Sequence, residues 1–313
     1  MTMKIIPNKH LPTTPQNATG NVEAYSAFIA WNINNLSDAK NLFGDLGDLA
    51  KDVKFPEKDH TFSCVCGFSP CGYEKVFGCD TPKELVKLPE IKGAKYNLTV
   101  DLTDGLFHLR ASALGVIEEF LHNLVRKYPN ALHVKKKVIG YKLSQNRDWL
   151  GFIDGTADPV TQEEREACVL IQSPNKKFNL GAYVLFQTYI HDLKAWDKTA
   201  VHEQEKIIGR GKLDNVQPLN QSPQSHIALN TIVVDGVEMD IVRDNAPFTT
   251  EKGERGTAFI GYSAQSSVLI QMLTNMFVGN PKGHYDHILD FSKNTFSCLY
   301  FCPNQDILDA LGS

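Results

Sequence analysis

Apolar and polar positions along the chain follow one pattern that is written twice. AYSAFIAWNI (24–33) alternates like a strand, and SDAKNLFGDLGDLAKDV (37–53) carries apolar residues at helical spacing, with Ser37 placed to cap its N-terminus. Strand patterns follow at TFSCVCGFS (61–69) and GLFHLRA (105–111), then a helix through ALGVIEEFLHNLVRKY (113–128) and a strand near LHVKKKVIGYKL (132–143). After a glycine-rich loop, WLGFIDGTADPV (149–160), the order begins again. A strand in GAYVLFQTYIHD (181–192) leads to a helix across 192–208 and a strand-like MDIVRDN (239–245). GTAFIGYS (256–263), a helix through SSVLIQMLTNMF (266–277) and a strand in FSCLYFCP (296–303) complete it. Segments 174–179 and 211–225 read as loops.

Each half therefore reads β-α-β-β-α-β, and the fold class expected is α+β: two ferredoxin-like domains with antiparallel sheets. A chain of 313 residues is long enough for two such units. Their expected extents are 1–145 and 146–313, with the GFIDG loop near the junction. This architecture carries many unrelated activities, so function has to come from side chains.

Charge removes some classes. With 32 basic and 36 acidic residues the formal net charge is -4, which supplies no general attraction for nucleic acid or anionic membranes. No stretch approaches the ~20 apolar residues of a membrane span. The first twenty residues lack a signal-peptide pattern, and DALGS is not a peroxisomal address, so the cytoplasm is the expected compartment. A homo-oligomer is compatible with all of this. Seven cysteines at irregular spacing make a poor disulfide framework. Cys64, Cys66, Cys71 and Cys79 read as buried thiols, because TFSCVCGF alternates like a strand. His284, His287, Cys298 and Cys302 form a conceivable zinc set, but CLYFC has strand rather than knuckle spacing.

The loop GFIDGT supports two readings. Gly151 and Gly155 permit turn conformations closed to other residues, and Asp154 and Asp158 can bond nearby backbone amides, which makes an ordinary turn. Alternatively the loop aims Asp154 into a pocket. Three further features follow in the second half: IIGRGK with Arg210 and Lys212, SHIALN with His226, and RDNAPF with Arg243 and Asn245. A lone His or Arg is usually structural or solvated, and only the combination changes that.

In order, the series GFIDGT, GAYVLFQTYIHDLKAW, EKIIGRGK, SHIALN, RDNAPF, GTAFIGYS and YDHILDF resembles the dye-decolorizing peroxidases, haem enzymes built of two ferredoxin-like domains. The resemblance spans nearly the whole chain and is greatest to the compact bacterial-type (class B-like) branch. It implies haem b in the C-terminal half and hydrogen peroxide as oxidant. It also implies aromatic reductants, dyes or phenols, oxidised by one-electron steps through a high-valent oxo-iron state. It further implies His226 as the axial iron ligand, Asp154 as the distal acid, Arg243 as the distal arginine, Asn245 as a distal polar residue and Arg210 as a propionate contact. Gly155 and Thr156 are expected against the haem, and Phe259 either covers its distal face or, as a strand aromatic, packs in the core. The loop departs from the family pattern by running GTADP where many relatives have GTENP, which leaves the contacts of residues 157 and 158 open.

The chemistry gives each role a reason. A neutral imidazole is a strong axial donor, and a carboxylate on its other nitrogen raises its basicity, a part for which Asp286 is the candidate. A carboxylate such as Asp154 can take the first proton of peroxide and return it to the leaving oxygen. A fixed guanidinium stabilises the charge that builds there. Bulky reductants cannot reach a buried haem, so Trp31, Trp149, Trp196 and the ten tyrosines are options for relaying electrons. Met272, Met276 and Phe277, at helical spacing, are expected in the core. Two other classes compete with the peroxidase: a haem carrier or haem-handling protein with incidental peroxidase activity, and a zinc-binding structural module.

Overall fold

The computed structural model describes residues 14–54 and 60–312. In the N-terminal half, β1 (Tyr25–Ile33), α1 (Leu36–Asp52), β2 (Phe62–Phe68), α2 (Pro70–Phe77), β3 (Gly105–Ala111), α3 (Leu114–Lys127) and β4 (Leu132–Tyr141) follow in order. The C-terminal half opens with α4 (Gln162–Val169), β5 (Ala182–His191), α5 (Leu193–Trp196), α6 (Val201–Ile208) and α7 (His226–Asn230). Short strands β6 (Val233–Val234), β7 (Val237–Glu238), β8 (Val242–Arg243) and β9 (Ala246–Thr249) precede β10 (Arg255–Ser263), α8 (Ser266–Phe277), β11 (Ser292–Cys302) and α9 (Gln305–Asp309).

The two ferredoxin-like halves are joined through their sheets. Strands β4-β1-β3-β2 form one antiparallel set and β11-β5-β10-β9 the other. Single register contacts, Gly140 with Phe248 and Phe68 with Phe301, connect them at both edges. The sheet thereby closes into a barrel, which leaves few edge groups to template association. Every long strand sends alternate side chains inward. Phe28, Val65, Leu106, Val138, Phe186, Ile260 and Tyr300 meet there in one buried cluster. The outward faces form the larger core under the helices, including Leu42 and Phe43 of α1, Ile117 and Phe120 of α3, and Leu269 and Leu273 of α8. No helix among the described residues is long and apolar enough to cross a membrane.

The barrel interior is not wholly apolar. His108 and Arg110 of β3 point inward, and Arg110 Nε lies 2.6 Å from Asp244 Oδ2, with both side chains almost fully buried. His108 stacks on Phe28 at 4.8 Å and bonds Tyr262 Oη through Nδ1 at 2.8 Å. Asp244 is thus held inside the barrel between two residues that turn elsewhere, Arg243 and Asn245.

Several local expectations are corrected. Asn35, not Ser37, caps α1, its Oδ1 accepting from the Asp38 amide. The helix expected across 192–208 is two helices, because Asp192 caps α5 and the chain turns out at Thr199 and Ala200 before α6 begins. MDIVRDN pairs only at Val242 and Arg243, since Asp244 turns into the barrel interior. Cys66 is buried and Cys64 packs against the core, but Cys71 and Cys79 are exposed. Trp31 and Trp196 are buried, which removes them as surface relays.

Candidate active site

One large cavity opens between the outer face of the C-terminal strands and α8. Leu185, Gln187, Tyr189 and His191 reach it from β5, Thr257 and Phe259 from β10, and Leu269, Met272, Leu273 and Met276 from α8. The two periodicities explain the wall: every second residue of a strand and positions i, i+3, i+4 and i+7 of a helix share a face. Met272 and Met276, expected as core, therefore line the cavity as well.

The loop after β4 supplies Asp154. Asp148 Oδ1 accepts from the Phe152 amide at 2.9 Å, Arg147 Nη1 donates to the Gly151 carbonyl at 2.8 Å, and the Asp154 amide donates to Asn146 O at 2.9 Å. Gly155 sits at φ +75°, a left-handed conformation that costs other residues about 1–2 kcal/mol. Asp154 Oδ1 accepts from the Gly155 amide at 2.8 Å and from Asn245 Nδ2 at 3.0 Å. The turn and the pocket readings of this aspartate hold together: one oxygen closes the turn, and the residue lines the cavity.

Asn245 follows β8, which places its amide against Asp154. Its own Oδ1 is buried and without a partner among the described residues. Arg243, on β8, lines the same cavity and is tied back by Asp158, with Nε to Oδ1 at 2.7 Å. The two terminal nitrogens of this guanidinium carry no protein partner among the described residues. Of the residues left open by GTADP, Ala157 lines the cavity and Asp158 stands behind Arg243.

His226 begins the five-residue helix α7, capped by Ser225 Oγ accepting from the Ala228 amide. Its Nδ1 lies 2.7 Å from Oδ2 of fully buried Asp286, whose Oδ1 accepts from the Ile288 amide at 3.0 Å. Its Nε2 has no partner among the described residues. The side chain is enclosed by protein yet 30% open, because what it faces is the cavity. Burial opposes a charged ring, but the adjacent Asp286 carboxylate outweighs it and raises the imidazole above its ordinary value.

The other cavity histidine is engaged at both nitrogens. His191 meets Ser292 Oγ at 2.8 Å and Thr257 Oγ1 at 2.9 Å, and burial pushes it down to about 4. His284 and His287 do not line the cavity; they bond Gln224 and Asp290. Among the described residues no cluster of three or more His, Cys, Asp or Glu could hold a metal ion.

Asp154, Gly155, Thr156, Arg210, His226, Arg243, Asn245 and Phe259 all line this one cavity, although they come from five separate segments. Asp286 stands behind His226. Arg210 Nη1 donates to Asn215 O at 2.8 Å, and Thr156 shares bonds with the Asn215 side chain. The β5 and α8 faces were missed in the sequence, though the alternation of GAYVLFQTYIHD carries the signal for the first. Asp148 was missed too; it lines the cavity, and burial pushes its carboxyl up to about 7.

Comparison with known proteins agrees over most of the chain. Residues 18–142 match the Dyp-type peroxidase N-terminal family model, and residues 145–307 match the C-terminal one. A dye-decolorizing peroxidase of Brevibacterium linens is 37% identical over 95% of this chain and 82% of its own length. Among solved structures, DyPB from Rhodococcus jostii RHA1 superposes with a TM-score of 0.92 at 34% identity, covering 96% of this chain and 98% of that one. A variant of the Rhodococcus protein solved in complex with heme aligns with a TM-score of 0.90 at the same identity, over 96% of this chain and 100% of that one. The chain belongs to the Dyp-type peroxidase family.

Proposed function

We propose that the cavity holds haem b through His226 and that the wall formed by Asp154, Arg243 and Asn245 handles hydrogen peroxide. The observation that carries this reading is the state of His226. Its Nδ1 is taken by a buried carboxylate and its Nε2 is left open to a largely apolar cavity, the arrangement an iron-ligating histidine requires. The orphaned Asn245 Oδ1 and an Arg243 side chain bonded within the described residues only through Nε fit a wall built for a polar guest.

When bound, haem supplies the redox chemistry: peroxide is reduced to water, and aromatic reductants then return electrons one at a time. The chain's own residues divide the remaining work. Asp154 has Oδ1 fixed by Gly155 and Asn245, so Oδ2 is the atom that takes a proton from peroxide and gives it back to the leaving oxygen. Arg243 stabilises the negative charge on that oxygen with its free terminal nitrogens. Asp286 keeps a proton on Nδ1 of His226 and so leaves Nε2 as the donor. Phe259, Leu269 and Met272 line the cavity with apolar surface that would exclude water, and Arg210 would meet a propionate.

The same reading treats 1–145 and 146–313 as two units and places the protein in the cytoplasm, which seven unbridged cysteines support. The test sets sustained peroxide turnover with an aromatic reductant beside the rate at which haem is lost to an acceptor apoprotein. Fast turnover with slow loss is expected; slow turnover with fast loss makes the protein a haem carrier.

A further inference from the structure

Arg243 is held by an acid that the reading above leaves without a role. Asp158 does not line the cavity. Its Oδ1 accepts from Arg243 Nε at 2.7 Å and its Oδ2 from the Arg243 main-chain amide at 3.3 Å. Both oxygens of one carboxylate thus clamp the side chain against its own backbone. The carboxylate is 11% exposed, and its side chain has no other partner among the described residues. A bond at Nε fixes the plane of the guanidinium, since that nitrogen sits at its elbow, and it leaves the two terminal nitrogens free.

The clamp also has a charge. Arginine stays protonated throughout, so an ionised Asp158 offsets the positive charge that faces the cavity. With Asp154 and Asp240 on the cavity wall and Asp158 behind it, three carboxylates stand against one guanidinium. Burial pushes the Asp158 carboxyl above its ordinary range, against the lowering effect of Arg243.

We propose that Asp158 is the positioning residue of Arg243: it orients the guanidinium toward the cavity and sets, by its own charge, how strongly that wall attracts anions. This rests on haem occupying the cavity, so the experiment first reads haem loading and then an anion equilibrium that involves no turnover. Ferric holoprotein is titrated with fluoride, followed by absorption, from about pH 4 to about pH 8, beside Asp158→Asn. The amide keeps the shape and one acceptor but removes the charge.

The variant is expected to bind fluoride about tenfold more tightly at the upper end, the effect of one charge across a partly screened pocket. The ratio of the two affinities should fall toward one as pH drops and the parental carboxyl gains its proton. The groups around Asp158 are Arg243, Asp154 and Cys168, with Asp240 acting on both Arg243 and Cys168. Arg243, Asp154 and Asp240 are common to both proteins and cancel in the ratio, and burial holds the Cys168 thiol up at about 11, so it stays neutral. If the amide variant fails to load haem, Asp158→Ala removes the charge and the orienting acceptors together, and a smaller gain that still falls toward one as pH drops is expected. Equal affinities at every pH overturn the proposal, as does a gain that does not change with pH, which would report altered packing. A parent without Soret absorption overturns the haem reading instead, and is told apart before any fluoride is added.

Discussion

His226 and Asp286, sixty residues apart, meet at 2.7 Å and tie the helix that carries the cavity histidine to the turn after α8. Asp286 caps that turn through its other oxygen, so its position is set by the backbone as well as by the imidazole. The pair fixes ring orientation and tautomer together, which is what a metal-ligating histidine needs from its outer partner.

His226→Ala should therefore yield protein with greatly reduced haem and an altered Soret band. Asp286→Asn keeps the shape and an acceptor but loses the charge, and haem affinity should fall about 10- to 100-fold. Titrating apoprotein with haem measures both. Unchanged affinity in the asparagine variant would make Asp286 a turn cap only.

Haem uptake should also depend on pH with a definite sign. In the apoprotein the imidazole is raised above 6.5, so the charged His226–Asp286 pair stabilises the fold fully below that value and is lost as pH rises through the raised one. Binding iron requires the neutral ring. Haem affinity should then rise with pH, by about tenfold per unit below the raised value, and level off above it. Titrations from about pH 5 to about pH 9 test this, and in Asp286→Asn the bend should move to lower pH.

Much of this was legible because strand and helix periodicities are local. β1, β3, β5, β10 and α8 run close to their hydrophobic patterns, and α8 begins and ends where the pattern does. What was hidden depends on distant partners. Barrel closure rests on contacts such as Gly140 with Phe248, which no window of sequence contains. α7 is too short for a 3.6-residue period to register, and β8 ends because Asp244 finds a buried arginine 134 positions earlier. The site residues were recognisable as an ordered series of motifs. Asp158 read only as a turn residue, because its bonds to Arg243 join positions 85 apart.

The Arg110–Asp244 pair gives a stability prediction. Both side chains are almost fully buried, and removing one partner strands the other charge, at a cost of about 3–5 kcal/mol. Arg110→Ala should lose that much in urea unfolding. Burial pushes the Asp244 carboxyl up to about 6 against the lowering by Arg110. Between 3.8 and about 6 the folded form keeps a proton that the unfolded form has lost, so this group's contribution declines as pH rises through that window. Without Arg110 the decline should extend to higher pH.

On the proposed assignment, Asp154 and Arg243 handle peroxide in a cavity where His226 would hold haem. Stopped-flow mixing of the haem-loaded protein with hydrogen peroxide reads the first spectral change directly, apart from the slower reaction with reductant. Asp154→Asn cannot take the proton, and Arg243→Leu removes charge stabilisation at every pH. Each should slow that step by about two to three powers of ten if its residue dominates. A parental rate in Asp154→Asn alone would leave the arginine carrying the chemistry and return the aspartate to closing a turn. Parental rates in both variants would contradict the assignment of this wall to peroxide.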